Sequence, residues 1–108
     1  MAILSAVPHY HTIQCKGVVL GKRASVLVDE GATHNLFDAD MVEKGKIHIE
    51  PFDGFTVVIP GHNTMQCKTW VPKLQVTIGN YTFVDSFCVD NVADTNVVLG
   101  VQFLYQNS

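Results

Sequence analysis

Val26, Leu27 and Val28 lead directly into Asp29, Glu30, Gly31, Ala32, Thr33 and His34. An unbroken apolar run is what a strand buried on both faces requires, so it would deliver the Asp29 carboxylate to the rim of a core. A carboxylate in such a place can accept and donate protons during a reaction. Gly31 would permit a tight backbone turn, and Ala32 would leave room for something to pack against it. The same residues also suit a turn aspartate that hydrogen-bonds its own backbone, and the local pattern leaves both readings open.

Other chemistry-bearing residues read as structural. His9 and His11 would share one face of a strand, but no third ligand stands at a recognisable spacing and no metal site is expected. Asp38 and Asp40 resemble half of a calcium or magnesium loop without its glycine-centred acidic partner, so helix capping is the expected role. Cys67 and Cys88 read as small buried hydrophobes on strands, because neither has a cationic neighbour in sequence that would activate a thiol. Trp70 and Phe83 read as strand aromatics.

The elements that must position these residues are mostly strands, short and separated by turn residues, which predicts a β barrel or sandwich. His11 to Leu20 and Ala24 to Val28 flank Gly21, Lys22 and Arg23 as a first hairpin. Phe55 to Ile59 and Met65 to Val71 flank Pro60, Gly61, His62, Asn63 and Thr64 as a second, with turn chemistry at its tip. Leu74 to Ile78 and Tyr81 to Val89 flank Gly79 and Asn80 as a third. Asp38 to Lys44 reads as a short helix, with Asp40 as cap, Glu43 three residues on, and Gly45 as its end. A further helical turn is expected after Gly100, where Val101, Leu104 and Tyr105 share a face.

At 108 residues the chain is read as one domain, since two cores would each be too small to offset their ordering entropy. Its net charge is −3 with seven scattered basic residues, which gives no phosphate-tracking surface and no expected nucleic-acid partner. The three cysteines, Cys15, Cys67 and Cys88, are odd in number and form no CxxC pair, so a reducing compartment is expected. No stretch reaches the roughly 20 apolar residues that span a bilayer, and the N-terminus lacks a secretion signal. The expected location is intracellular and cytoplasmic, with the domain cut from a longer polypeptide.

About seventy residues after Asp29 comes a second element, Asn96, Val97, Val98, Leu99 and Gly100, an apolar triplet closed by glycine. Together the two elements resemble the retroviral-type aspartic proteases, the retropepsins. Most similar are the proteases of plant long-terminal-repeat retrotransposon polyproteins of the Ty3/gypsy type. The family's apolar triplet, Asp, Ser or Thr, Gly and Ala stands here as Val26 to Ala32, and Thr33 to Phe37 also resembles the plant group. The closing motif, two apolar residues, Leu-Gly and an aromatic-Leu pair, stands as Val97 to Leu104. The resemblance covers about residues 12 to 105.

The resemblance implies an all-β acid-protease barrel with one or two short helices and a flap hairpin. It implies Asp29 as the catalytic aspartate, with Glu30, Gly31 and Ala32 as the active-site loop. Thr33 and His34 would line the cleft floor, although His34 equally suits a cap on that loop. Gly61, His62, Asn63 and Thr64 would form the flap tip, and Val98 an apolar wall of the specificity pocket. Each chain supplies one aspartate, so the implied enzyme is a homodimer with the cleft on its two-fold axis. Neither metal nor cofactor is implied, because two carboxylates sharing a proton suffice to activate water.

Glu30 departs from the pattern, which has a Ser or Thr hydroxyl bracing the two loops across the axis. Two ionised glutamates about 4 Å apart would repel by on the order of 4 kcal/mol at an effective dielectric near 20. Ala2 to Val7 is apolar enough for an interface strand, whereas the C-terminal partner strand is short or missing. The leading expectation is an endopeptidase cleaving its own retroelement polyprotein, in a polyprotein or virus-like particle, with weak neutral-pH activity. The alternative is a weak or inactive retropepsin-like module for dimerisation or peptide binding. More distant is a small β-barrel binding domain with no active site.

Overall fold

The computed structural model describes residues 5–7, 10–61, 63–92 and 95–106. The strands are β1 (Ser5–Val7), β2 (Tyr10–Val19), β3 (Lys22–Asp29), β4 (Leu36–Asp38), β5 (Glu50–Val58), β6 (Thr64–Ile78), β7 (Tyr81–Asp90) and β8 (Val97–Leu99). Two short helices, α1 (Ala39–Gly45) and α2 (Val101–Gln106), complete the described elements. The sheet order is β1-β2-β3-β8-β4-β7-β6-β5, and β2 also pairs with β6 at Val18 with Thr77 and Val19 with Val76. That extra pairing closes β2, β3, β8, β4, β7 and β6 into a barrel, the expected all-β architecture. The outer half of β6 is left free to carry β5 as a hairpin.

The chain threads β8 between the two strands that flank the Asp29 loop. On one side β8 runs parallel to β3, with Leu27 opposite Val98; on the other it runs antiparallel to β4, with Leu36 opposite Val98. The segment from Glu30 to Asn35 therefore has to cross the end of β8 to reach the other side.

Side chains alternate across each strand, and here both faces are buried. Val26, Phe37, Val97 and Leu99 enter the barrel core with Val71, Val76 and Phe87. Their alternates Leu36 and Val98 join Ala32, Val57, Cys67 and Cys88 in a second cluster, with Leu27 packed against it. Asp29 falls two positions after Leu27 and so shares its side of β3, toward this second cluster.

Several local expectations are corrected. Met65 to Val71 and Leu74 to Ile78 are one strand, β6, whose pairing with β7 slips between Val71 and Leu74. The first hairpin turns at Leu20 and Gly21, leaving Lys22 and Arg23 in β3. Helix α1 is capped by Asp38, not Asp40, because Asp38 has extended backbone (ψ 126°) and its Oδ1 accepts from the Asp40 N–H at 3.3 Å. Its end is made by Lys46, in left-handed conformation at φ 50°, beyond Gly45. Ser5–Val7 pairs with β2, whereas residues 2–4 of the expected interface strand lie outside the described residues. So do His9 and the His11 side chain of the HxH pair.

Cys67 and Cys88 are not separate buried thiols but a disulfide joining β6 to β7. The neighbouring register places Trp70 opposite Cys88, and the cysteine Cα atoms stand 5.9 Å apart, within the range a disulfide spans. This pairing removes the ground on which a reducing compartment was expected. Cys15 remains free and half-buried, and burial raises its thiol pKa, which disfavours the thiolate. The crosslink closes a sequence separation of 21 residues. A loop of that size stabilises by about 3 kcal/mol on the chain-entropy model. A Cys67→Ala, Cys88→Ala double variant should therefore melt below the unreduced parent, and thermal melts with and without reductant should converge for the variant alone.

Candidate active site

Asp29 ends β3 with its side chain fully buried. One carboxylate oxygen, Oδ1, accepts from the Gly31 N–H at 2.7 Å, and the Asp29 carbonyl accepts from the Ala32 N–H at 3.2 Å. These bonds make the tight turn expected of a turn aspartate. The other oxygen, Oδ2, is buried and has no hydrogen-bond partner among the described residues. Buried polar atoms nearly always have partners, so this carboxylate oxygen is the exception that a functional reading has to account for. Glu30, immediately after it, is exposed.

The remainder of the loop is tied down on two sides. The Thr33 N–H donates to the Val58 carbonyl at 3.0 Å, and Thr33 Oγ1 accepts from the Val58 N–H at 2.9 Å. Thr33 thus pairs like a strand residue with the end of β5 and anchors the flap hairpin to the Asp29 loop. His34 Nδ1 lies 2.8 Å from Thr33 Oγ1, and the His34 ring meets Phe55 of β5 with centroids 5.0 Å apart. His34 therefore caps the loop and faces the hairpin.

Behind the loop, the Val101 N–H donates to Ala32 O at 2.8 Å and the Gln102 N–H to Thr33 O at 3.2 Å. The contact is so close that a Cβ on Gly100 would stand 2.6 Å from Ala32 O and 2.8 Å from His34 O. Only glycine fits where the loop crosses β8, which explains the glycine closing the second motif. Val98 is fully buried in the cluster beneath the loop.

At the hairpin tip, the Ile59 N–H donates to Asn63 O at 2.8 Å, and Gly61 turns at φ 87°. Asn63 and Thr64 are exposed there, while His62 lies outside the described residues. Beside the hairpin tip opens a cavity of about 330 Å³ lined by Leu27, Leu36, Ile59, Pro60 and Val92, with Asp90 at its wall. Leu27, Leu36, Ile59 and Val92 belong to the cluster that contains Val98, and none was read from sequence as a cavity wall. The apolar alternation around Leu27 is the signal that could have found some of them.

A model of the retroviral aspartyl protease family matches residues 6–108. The chain belongs to that family. Its fold is similar to that of Lpg0085, a protein of unknown function from Legionella pneumophila subsp. pneumophila str. Philadelphia 1. That crystal structure has TM-score 0.53 and 14% identity, covering 86% of this chain and 84% of the other. No curated protein matches the chain. The matched span includes both the Asp29 loop and the β5–β6 hairpin. Among the described residues, no cluster of three His, Cys, Asp or Glu could hold a metal ion, and no helix is long and apolar enough to cross a membrane.

Burial lowers the His34 pKa from its ordinary value near 6.5. The folded protein consequently binds fewer protons at His34 than the unfolded chain does, so this site's contribution to stability falls as pH drops below about 6.5. Urea denaturation at pH 7.5 and pH 5.5 should show a smaller acid-induced loss for His34→Gln than for the parent.

Proposed function

We propose that this chain is one half of a homodimeric aspartic endopeptidase that processes the retroelement polyprotein carrying it. The observation that carries the reading is the buried, unpartnered Oδ2 of Asp29 at the mouth of a loop roofed by a hairpin. A second copy of the same carboxylate across a two-fold axis is the natural partner for that oxygen, because two adjacent carboxylates keep one proton between them. In that arrangement the unprotonated member takes a proton from water as the water oxygen attacks the peptide carbonyl. The protonated member donates to the carbonyl oxygen. When the tetrahedral adduct collapses, the carbon–nitrogen bond breaks and the amine leaves with a proton returned from the dyad.

Gly31 and Ala32 would let substrate backbone approach, and Thr33, His34 and the tip residues Gly61, His62, Asn63 and Thr64 would enclose it. The cavity walled by Leu27, Leu36, Ile59 and Val92 suits a large apolar side chain next to the scissile bond. Asp29 is enclosed in the single chain, so substrate enters by displacement of the covering segments, as in other lidded enzymes. The Asp29→Asn variant should lose at least a hundredfold in kcat on a peptide library while keeping its melting temperature within a few degrees. Retained cleavage in that variant would remove Asp29 from the reaction.

Glu30 supports a second reading, a module that dimerises or binds peptides with little or no cleavage. Two exposed Glu30 side chains brought to one axis would repel when ionised and weaken the dimer on which cleavage depends; in the protease reading that dimer, and with it cleavage, would strengthen from pH 7 toward pH 4 to 5. Sedimentation of Glu30→Ser should show a tighter dimer than the parent at pH 7 and a similar one at pH 4.5. A folded parent dimer that cleaves no peptide between pH 4 and pH 7 and binds no pepstatin would favour the module.

A further inference from the structure

A second buried carboxylate, Asp85 on β7, takes no part in the chemistry above and is only 9% exposed. Its Oδ2 accepts from Asn35 Nδ2 at 3.0 Å, and its Oδ1 accepts from Gln102 Nε2 at 3.0 Å and from the Ser86 N–H at 2.8 Å. Asn35 closes the Asp29 loop, and Gln102 belongs to the helix beneath it. We propose that Asp85 is a positioning residue for Asp29, acting by fixing the orientation of these two side-chain amides. This rests on the protease reading of Asp29.

The argument is one of donors and acceptors. An amide can present either its oxygen or its NH2 group in a given direction, whereas an aspartate carboxylate facing amide N–H groups is an acceptor on both oxygens. Asp85 therefore holds the NH2 groups of Asn35 and Gln102 toward itself and turns their oxygens the other way. Those oxygens receive the backbone of the site: Asn35 Oδ1 accepts from the Gly100 N–H at 3.2 Å, and Gln102 Oε1 accepts from the Asn35 N–H at 3.1 Å. Further bonds complete the set, with Asn35 Nδ2 donating to Ser86 O at 3.3 Å and Gln102 Nε2 to Ser86 O and Ser86 Oγ, each at 3.1 Å. Asn35 O accepts from the Cys88 N–H at 2.9 Å. Asn35 is fully buried and every polar group on it is used. The crossing of the loop over Gly100 is thus locked from below by one acceptor on a different strand.

In Asp85→Asn the new amide oxygen stays with the two donors at the Oδ1 position. Its NH2 then meets Asn35 Nδ2, donor against donor. If Asn35 flips to relieve this, its NH2 meets the Gly100 N–H instead. Exchanging the two residues, Asn35→Asp with Asp85→Asn, restores an acceptor for the position-85 amide and keeps one for Gly100, at the cost of turning the longer bond to Ser86 O into an acceptor–acceptor contact.

The experiment compares the parent, Asp85→Asn, Asn35→Asp and the exchanged double variant by steady-state kinetics and by amide hydrogen exchange at Gly31 and Gly100. Gly31 donates to Asp29 and so reports its position. Asp85→Asn is expected to lose about ten- to a hundredfold in kcat, the scale of a misplaced reacting group, with KM within about twofold. Its Gly31 and Gly100 amides should exchange faster, and the double variant should recover both readouts. The proposal is overturned if folded Asp85→Asn keeps parental kcat, if its Gly31 and Gly100 exchange is unchanged, or if the double variant is no better than the single ones. Should Asp85→Asn fail to fold, the double variant decides: recovery of fold and exchange supports the pairing, and failure overturns it. A parent that cleaves nothing would defeat the protease reading, while amide exchange would still test the lock.

Discussion

Everything near Asp29 depends on one backbone crossing. Strand β8 is held between β3 and β4, so the loop joining those two strands must pass over its end, with Ala32 O and His34 O almost touching Gly100. Backbone at that distance leaves no room for a side chain and forces the loop's carbonyls onto the first N–H groups of α2. The crossing therefore settles three things together: the glycine after Leu99, the start of the last helix, and the direction in which Asp29 leaves β3.

Because the crossing lies within a closed barrel, the strands under it have no solvent face. The main core takes one side, and the cluster beneath the hairpin, with Ala32, Leu36, Val57, Val98 and the disulfide, takes the other. Polar groups in such surroundings are tolerated only when paired. Asn35, Asp85 and Gln102 meet that demand, and Asp29 Oδ2 does not. The network of Asn35, Asp85 and Gln102 is saturated, whereas among the described residues Asp29 Oδ2 has no hydrogen-bond partner.

The hairpin is connected to the same loop by Thr33, whose backbone and hydroxyl both bond Val58, and by the contact of His34 with Phe55. The disulfide fastens the returning strand of that hairpin to β7. These contacts tie the hairpin to the barrel as far as Val58 and Cys67. Exposed Glu30 stands apart from this scaffold.

Local sequence was sufficient for the two motifs, the hairpin order and the presence of both helices, though not the caps of α1, because apolar runs and turn residues act within a few positions of one another. The residues themselves showed Asp29, Gly31 and Ala32 as one turn, and the family resemblance made Val97 to Gly100 its counterpart. What only the tertiary structure decided were pairings between distant segments. These are the Cys67–Cys88 bond, the continuity of β6 past Pro72, the three-residue β4, and the convergence of Asn35, Asp85 and Gln102. No periodicity encodes these, since each residue looks ordinary until the barrel closes and brings its partner within bonding distance. The same closure turned Asp29 from a plausible turn residue into a buried carboxylate with one oxygen unclaimed.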